Sequence, residues 1–201
     1  GFGLSAGADV PSNPEQHVVD GIESPENYEL GDSVSDVWSA ASALLAAVPT
    51  ARERLYLDGT SFGGGVAALA VAWDQRFARA FLEVPTFGAQ ELRMQLPTNG
   101  SGAAIQRWAR RPGRRQQVTY TLSYFDAACA ARFARVPTMV AAAESDAVVT
   151  PPGQFAIYNA LRRSLAPDDA RLYVLRAGHA PMTSQEAVAL AAARRRWFGM
   201  D

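Results

Sequence analysis

The stretch Tyr56-Leu57-Asp58-Gly59-Thr60-Ser61-Phe62-Gly63-Gly64-Gly65 decides how this chain folds. It predicts a strand that runs into a serine on a sharp turn and then into a helix. Gly59 and Gly63 stand two positions before and two positions after Ser61, where we expect a Cβ to collide with the adjoining strand or helix. A serine held on such a turn has its hydroxyl lifted clear of the backbone, so the stretch predicts a nucleophile.

The sequence on both sides of this turn alternates between strand and helix patterns. Short buried runs bounded by turn residues predict strands, and longer stretches with apolar residues at helical spacing predict helices. The predicted strands are 54–58, 80–84, 138–143 and 171–175, and the predicted helices are 32–48 (capped by Asp32 or Ser33), 66–73, 153–164 and 184–197. We predict a long loop over 1–31 and irregular helical structure over 86–137. This alternation predicts an α/β fold with a parallel sheet and helices on its faces.

Size and composition restrict the class of protein. With 201 residues, 48% of them hydrophobic, the chain can bury one sizeable core, so we expect a single domain over residues 1–201. A net charge of −1 gives no field for nucleic acid or an anionic membrane, and no apolar segment is long enough to span a bilayer. The single Cys129 excludes an internal disulfide and a cysteine-based zinc site, and it fits a reducing compartment.

A serine nucleophile needs a base within hydrogen-bond reach, and the chain offers only two histidines. His179 follows the last predicted strand, and loops at the carboxyl ends of parallel strands are where sites gather in open α/β sheets. His17 lies in the predicted N-terminal loop and is the weaker candidate. We therefore expect His179 to be the base.

The base in turn needs an acid that orients it, and we expect this acid after a strand between the serine and the histidine. The segment that follows strand 138–143 offers Asp146, with Glu144 as second choice. The chain order is then Ser, Asp, His, which distinguishes α/β-hydrolases from the chymotrypsin and subtilisin arrangements.

These residues define a hypothesis for acyl transfer. Ser61 attacks the acyl carbon, His179 takes its proton and returns one to the leaving alcohol, and Asp146 fixes the imidazole tautomer. The backbone N–H of Phe62 is predicted to be one oxyanion donor, because the residue after the nucleophile supplies it. The structural alternatives are a plain glycine-rich turn, a capping histidine and an aspartate that only starts a turn.

Other motifs point to no cofactor and no metal. The arginine-rich run 107–115 is similar to a nucleic-acid patch, but it is short and isolated, so a solvated helix end near a lid is the better interpretation. The glycines 63–65 lack the Gly-Lys-Ser/Thr of a phosphate loop. The acidic residues between 23 and 32 lack the spacing of a calcium loop and predict a solvated face.

Several separate stretches along nearly the whole chain are similar to motifs of one family of esterases. They are Gly1-Phe2-Gly3, Gly21-Ile22-Glu23-Ser24-Pro25-Glu26-Asn27-Tyr28, Gly59-Thr60-Ser61-Phe62-Gly63-Gly64-Gly65, Val84-Pro85, Thr121-Leu122-Ser123-Tyr124-Phe125-Asp126, Pro151-Pro152 with Phe155, Tyr158 and Asn159, and Gly178-His179. On these motifs the chain resembles the acetylxylan esterase/cephalosporin C deacetylase family, carbohydrate esterase family seven.

The resemblance implies an α/β-hydrolase fold and a serine esterase that removes acetyl groups from sugar hydroxyls or from the side arm of cephalosporins. Carried over position by position, the family's triad falls on Ser61, Asp146 and His179. The implied partner is a small-molecule acetyl ester, and the resemblance implies no cofactor. Family members are typically cytoplasmic and form ring-like hexamers, so a cytoplasmic homo-oligomer is the expectation here.

The chain departs from the family pattern beside its predicted site. Phe62 replaces a glutamine, and we expect its side chain to narrow the mouth of the pocket or to change its polarity. Ala180 replaces the glutamate after the histidine. Asp146 lies one residue further from Pro151-Pro152 than in the family, so that loop is expected to bulge.

The chain also begins where the family's sequences are already well under way. The nucleophile turn of this class normally follows the fifth strand, and the second oxyanion donor comes from a loop after the third. Upstream of Ser61 only one helix and one strand are predicted, so we expect an N-terminally truncated chain with the C-terminal part of a mostly parallel sheet, or else another element that covers the exposed side of strand 54–58. Two alternatives stay open: another α/β-hydrolase, such as a peptidase or lactone hydrolase, and a non-catalytic remnant.

Overall fold

A parallel sheet forms the centre of the molecule. The computed structural model describes residues 10–200, so the motif Gly1-Phe2-Gly3 lies outside the described residues. The strands in this part of the chain are β1 (Tyr56–Thr60), β2 (Arg79–Glu83), β3 (Thr138–Ala143) and β4 (Ala170–Leu175). They pair in parallel in the order β1-β2-β3-β4, which confirms the predicted α/β class.

Helices connect and cover these strands. Those of the described residues are α1 (Pro14–His17), α2 (Glu29–Ala47), α3 (Phe62–Ala70), α4 (Gln90–Arg93), α5 (Gly100–Ala109), α6 (Arg115–Tyr124), α7 (Ala127–Ala130), α8 (Pro151–Ser164) and α9 (Ser184–Phe198), with short 3₁₀ helices at Pro49–Arg54 and Ala131–Phe133. Within residues 10–200, no helix is both long enough and apolar enough to cross a membrane.

Several predicted boundaries were wrong, each for a local reason. The first strand lies two residues later than predicted, because Arg54 closes a 3₁₀ helix and Thr60 still pairs with Glu83 of β2. The predicted loop over 1–31 contains α1, which Asn13 caps by accepting from two backbone N–H groups.

Three helices begin earlier than predicted, and one of them, α8, begins at Pro151 instead of residue 153. Helix α2 begins at Glu29 after the extended residue Tyr28, which makes no side-chain cap, so neither Asp32 nor Ser33 is the N-cap. Helix α3 begins at Phe62, directly after Ser61, so the glycines of the turn belong to its first turn.

The sheet buries apolar side chains on both faces because successive residues of a strand point to opposite sides. Leu82, Val140 and Ala142 belong to the core cluster that α3 and α8 cover. Phe81 and Ala141 belong to the cluster on the other face, where α9 supplies Leu190, Trp197 and Phe198. Strands with both faces buried have nearly continuous apolar sequences, which is why β2 and β3 could be predicted well. The single domain over residues 1–201 stays a prediction.

Candidate active site

Ser61 lies at the carboxyl end of β1 in a conformation that non-glycine residues rarely adopt. Its φ is 58° and its ψ is −115°. Three backbone hydrogen bonds hold it there: its N–H donates to the Glu83 carbonyl (2.8 Å), and its carbonyl accepts from Gly65 (3.0 Å) and Thr86 (3.1 Å). Such backbone strain costs about 1–3 kcal/mol and persists only where the surroundings impose it. The turn therefore presents the serine rigidly at the edge of the sheet.

Strain of this kind is concentrated near the carboxyl end of β2 as well. Among residues 10–200, the non-glycine residues with left-handed φ are Ser61 (58°), Val84 (40°), Phe87 (68°) and Ala89 (50°). All of them follow β1 or β2 closely in the chain. Outliers of this type cluster at active sites and ligand clamps, so their position makes this edge of the sheet the candidate site.

Close approach of the backbone explains Gly59 and Gly65 of the turn but not Gly63. A Cβ on Gly59 would lie 2.4 Å from the Gly63 carbonyl oxygen, and one on Gly65 would lie 2.6 Å from the Thr86 carbonyl oxygen. A Cβ on Gly63 would meet nothing within 4 Å. The expected collision at Gly59 is confirmed and the one at Gly63 was wrong, because Gly63 faces outwards from the first turn of α3.

Asp146 and His179 contact each other in the loops that follow β3 and β4. His179 Nδ1 lies 2.8 Å from Asp146 Oδ2, and the Asp146 side chain is fully buried while that of His179 is 33% exposed. A carboxylate accepts hydrogen bonds, so Nδ1–H is the donor, and in the neutral imidazole Nε2 is then the nitrogen that carries the lone pair. The contact with Asp146 therefore selects one tautomer of the neutral imidazole.

A network of hydrogen bonds holds the Asp146 carboxylate in place. Oδ1 accepts from the backbone N–H groups of Val148 (2.8 Å) and Val149 (2.9 Å), and Oδ2 accepts from Gln154 Nε2 (3.1 Å). Gln154 also donates to the Val149 carbonyl (2.5 Å), and its Oε1 accepts from the Ala143 N–H (2.8 Å). These bonds compensate the loss of water around a buried charge.

Gln154 is a residue that the sequence reasoning missed. It is fully buried on α8 and connects that helix to the end of β3 and to Asp146. The signal in the sequence was weak: a glutamine in the first turn of a predicted helix, next to the Pro151-Pro152 motif. Glu144, the second choice for the acid, is exposed and makes no hydrogen bond to His179 in the described part of the chain.

Ser61, Asp146 and His179 follow three strands of one parallel sheet, so they lie at the same edge of it. The structure brings Asp146 and His179 into contact, and between Ser61 and His179 it records no hydrogen bond within residues 10–200. Catalytic hydrogen bonds are often long before substrate binds. The catalytic roles of the three residues stay predictions.

Phe62 packs against two other rings. Its ring centroid is 5.3 Å from that of Phe87, edge to face, and 5.5 Å from that of His17. The half-buried side chain therefore packs against the core cluster beneath the turn. Its N–H lies in the first turn of α3, where backbone donors have no acceptor within the helix, so it is available to an oxyanion.

His17, the weaker candidate for the base, is buried beside Phe62. Its Nε2 lies 3.8 Å from Glu29 Oε1, and burial lowers the pKa of His17 below its usual value. Burial also raises the pKa of Glu29. His17 thus belongs to the support of the turn on the α2 side, whereas His179 contacts Asp146.

A cluster of charges supports the turn from the opposite face of the sheet. The Glu83 carboxylate pairs with Arg194 of α9, while the Glu83 carbonyl accepts from the Ser61 N–H. Arg194 Nε lies 3.6 Å from Asp58 Oδ2, and burial raises the pKa of Asp58 although Arg194 opposes the shift. The last helix of the chain is therefore tied to the strand ends that carry Ser61.

Asp126 ends one of the family motifs, and its role was also missed. Its carboxylate caps α7 by accepting from the N–H groups of Ala128 (2.9 Å) and Cys129 (3.1 Å). It also accepts from the N–H groups of Ala89 (3.2 Å) and Gln90 (2.7 Å) at the start of α4. One carboxylate thus joins two helices near the strained segment after β2.

Comparison with known proteins identifies relatives. The family described as acetyl xylan esterase (AXE1) matches residues 6–187. No match was found among curated proteins.

Solved structures agree on the fold. The acetyl xylan esterase from Paenibacillus sp. R4 is 23% identical with a TM-score of 0.72, over 94% of this chain and 58% of that one. For acetyl xylan esterase 1 from Thermoanaerobacterium sp. JW/SL YS485 the identity is 19% and the TM-score is 0.68, and the match covers 98% of this chain and 60% of that one. The Mycobacterium tuberculosis puromycin-hydrolyzing peptidase is similar as well, with 17% identity and a TM-score of 0.69, and the match covers 92% of this chain and 26% of that one.

These likenesses establish the α/β-hydrolase fold. The chain spans 58% and 60% of the lengths of the two esterases.

Proposed function

The chain belongs to the acetyl xylan esterase family, and on that premise we propose that it is a serine esterase acting on small acetyl esters of sugars or cephalosporins. The observation that carries the proposal is the 2.8 Å contact between His179 Nδ1 and Asp146 Oδ2, at the same edge of the sheet as Ser61. A buried carboxylate that orients an imidazole, at the sheet edge that also carries a strained serine, supports a site for acyl transfer.

The proposed reaction has two halves. Ser61 Oγ attacks the acetyl carbon while His179 Nε2 takes its proton, and Asp146 stabilises the imidazolium that forms. The N–H of Phe62 donates to the oxygen that becomes negative, and His179 then protonates the leaving alcohol. Water repeats the sequence on the acyl-enzyme, with His179 again as the base, and releases acetate and free Ser61.

The strain at Ser61 and the network around Asp146 support preorganisation of this site. Ser61 cannot relax without breaking its three backbone hydrogen bonds, and Asp146 cannot turn without leaving buried groups unpaired. Groups fixed before the reaction cost no reorganisation when charge develops. We expect substrate binding to complete the hydrogen bond between Ser61 and His179.

Peptide or lactone hydrolysis is the second candidate. It rests on the likeness in fold to the puromycin-hydrolyzing peptidase, since the same triad can cleave amides and esters. A panel of short nitrophenyl esters, acetylated sugars, lactones and peptide anilides separates the candidates. Preference for peptide anilides over acetyl esters would replace the first proposal by the second.

The decisive experiment compares Ser61→Ala with Ser24→Ala, an equally small change in a serine outside the site. With nitrophenyl acetate we expect Ser61→Ala to lose at least about 10³-fold in kcat/KM and Ser24→Ala to keep full activity. A fluorophosphonate should label the wild-type chain and leave Ser61→Ala unlabelled. Undiminished hydrolysis by Ser61→Ala contradicts the proposal, and a folded wild-type chain that neither hydrolyses nor labels indicates a non-catalytic remnant.

We further propose that the protein works in the cytoplasm as a homo-oligomer. The single Cys129 supports a reducing compartment, since it is free and exposed. Light scattering after size-exclusion chromatography checks the assembly: a monomer at every concentration contradicts the oligomer.

A further inference from the structure

The arginine-rich run 107–115 separates into two groups in the structure. Arg107 pairs with Glu15 at 2.6 Å and Arg114 pairs with Glu23 at 3.6 Å, so both are neutralised by the N-terminal segment. The other three arginines of the run have no carboxylate within 4.0 Å among residues 10–200; they are Arg110, Arg111 and Arg115.

These three arginines line one cavity. Its volume is about 660 Å³, and it lies between α4, α5 and α6, with Glu91 as its single carboxylate. Cavities of roughly 300–1,000 Å³ are the usual size of small-molecule sites, and this one exceeds what a single inorganic ion needs. Three guanidinium groups against one carboxylate leave the lining with a clear excess of positive charge.

Two side chains of the cavity lining are held in fixed positions. Arg111 stacks on the Trp108 ring, with its guanidinium carbon 3.7 Å from the ring centroid. Gln106 donates to the carbonyls of Arg93 (2.9 Å) and Leu96 (2.8 Å), which fixes another side chain of the lining. Arg115 opens α6, whose first-turn N–H groups receive no side-chain cap. The positive end of that helix adds to the field of the arginines.

We propose that this cavity binds a small organic polyanion through two or more of its carboxylate or phosphate groups. A guanidinium offers a planar pair of N–H donors that matches the two oxygens of either group, and three of them favour a multivalent ligand over a single charge. The two groups of arginines in the run have different roles. Arg107 and Arg114 stabilise the N-terminal segment, and Arg110, Arg111 and Arg115 line the cavity and bind the ligand. The site goes beyond the proposed esterase and does not depend on it.

Nucleic acid is the competing ligand for an arginine run, and the structure disfavours it. A nucleic-acid surface needs a row of free basic side chains, whereas two of these five arginines already pair with glutamates. The chain as a whole carries a net charge of −1. A concave site with three cations is better matched by a compact ligand than by a long backbone.

Isothermal titration calorimetry with citrate and with pyrophosphate tests the proposal, and acetate at equal ionic strength serves as the monovalent control. We expect one or both polyanions to bind and acetate to give no heat. Arg110→Gln, Arg111→Gln and Arg115→Gln should each weaken binding by about fivefold or more, and their combination should abolish it. A preference for citrate assigns the ligand to carboxylates, and a preference for pyrophosphate assigns it to phosphates.

The matched controls come from the same run. Arg107→Gln and Arg114→Gln remove the same charge from arginines outside the cavity, so we expect them to change affinity by less than about twofold. Equal weakening in both groups, no binding of either polyanion, or tighter binding of a short oligonucleotide overturns the proposal. If the triple variant does not fold, the single variants carry the comparison. The titration needs no ester hydrolysis, so its outcome is separate from that of the proposed esterase.

Discussion

At the scale of single residues, Gly59 and Gly63 flank Ser61 at equal distances along the chain and have different surroundings. Gly59 lies where the strand and the following helix touch, so any side chain there meets the Gly63 carbonyl. Gly63 lies on the open side of the first turn of α3. Glycine in a helix costs about 0.5–1 kcal/mol relative to alanine, and at Gly63 no steric gain offsets this cost.

We therefore predict opposite effects from one substitution at the two positions. Gly59→Ala should lower the free energy of unfolding by about 3 kcal/mol, because it forces backbone atoms apart. Gly63→Ala should raise it by about 0.5–1 kcal/mol. Urea denaturation measures both, and each variant serves as the control for the other. Equal destabilisation would show that Gly63 is sterically required after all.

His17 gives a prediction for pH dependence. Burial lowers the pKa of His17 below its usual value, so in mildly acidic solution the folded chain binds a proton at His17 less readily than the unfolded chain does. The unfolded state then binds more protons, and the free energy of unfolding must fall as pH decreases from about 7.5 to about 5.5. His17→Gln should reduce this fall. Urea denaturation at the two pH values measures it.

The comparison isolates His17 because the only other histidine, His179, is present in both proteins. Burial raises the pKa of the neighbouring Glu29, so its titration favours the folded state on acidification and acts in the opposite direction. Glu29 is also present in both the wild type and His17→Gln. An identical pH dependence in wild type and His17→Gln would contradict the role assigned to the buried imidazole.

At the scale of elements, Asp126 is the point where the helical segment after β2 is fastened. Four backbone N–H groups from two helices donate to its carboxylate, so its removal uncaps α7 and releases the start of α4 together. By contrast, Asn13 caps only its own helix, α1.

We predict that Asp126→Ala lowers the free energy of unfolding by about 2–3 kcal/mol, since it loses an N-cap and leaves further N–H groups unpaired. Asn13→Ala should lose only about 1 kcal/mol, as expected for an isolated cap. Thermal and urea denaturation give both values. Equal losses would mean that the link from α7 to α4 contributes nothing.

The strands show which elements a single sequence can predict. Strand β3 was predicted residue for residue, because Thr138 to Ala143 is a buried apolar run between clear turn signals. Strand β1 was predicted two residues too early. Its second half contains Asp58 and Gly59, which are poor strand formers, but their pairing with β2 keeps them in the strand. Tertiary contacts overrode local preference at that edge.

At the scale of the whole molecule, β1 is an edge strand of the described sheet, with β2 as its neighbour on one side. An edge strand presents unpaired N–H and C=O groups to other chains, and charged side chains such as Asp58 discourage that pairing. We predict that Asp58→Ala associates faster than wild type at equal concentration, as measured by light scattering over time.

The control is Asp168→Ala, which removes the same charge from an exposed turn far along the chain. It should leave the rate of association unchanged. Equal acceleration in both variants would mean that net charge, and not the edge of β1, governs association.

The candidate residues of the site could be predicted from the sequence, but the residues that hold them in place could not. Ser61, Asp146 and His179 stand out because nucleophile turns and loops after strands have recognisable sequences, and only two histidines had to be considered. Gln154 and Arg194 could not be found this way. Their contacts join parts of the chain that meet only after folding, and a buried glutamine or a helical arginine has no local signature.

The order of the sheet repeats the order of the chain, and this has a consequence for synthesis on the ribosome. Each strand finds its neighbour in the strand translated just before it, so the sheet can grow outwards as the polypeptide leaves the exit tunnel. Of the three candidate residues, Ser61 is translated first, Asp146 follows and His179 comes last. Under the proposed mechanism, the three groups of the site can therefore come together only when almost all of the described polypeptide has been made.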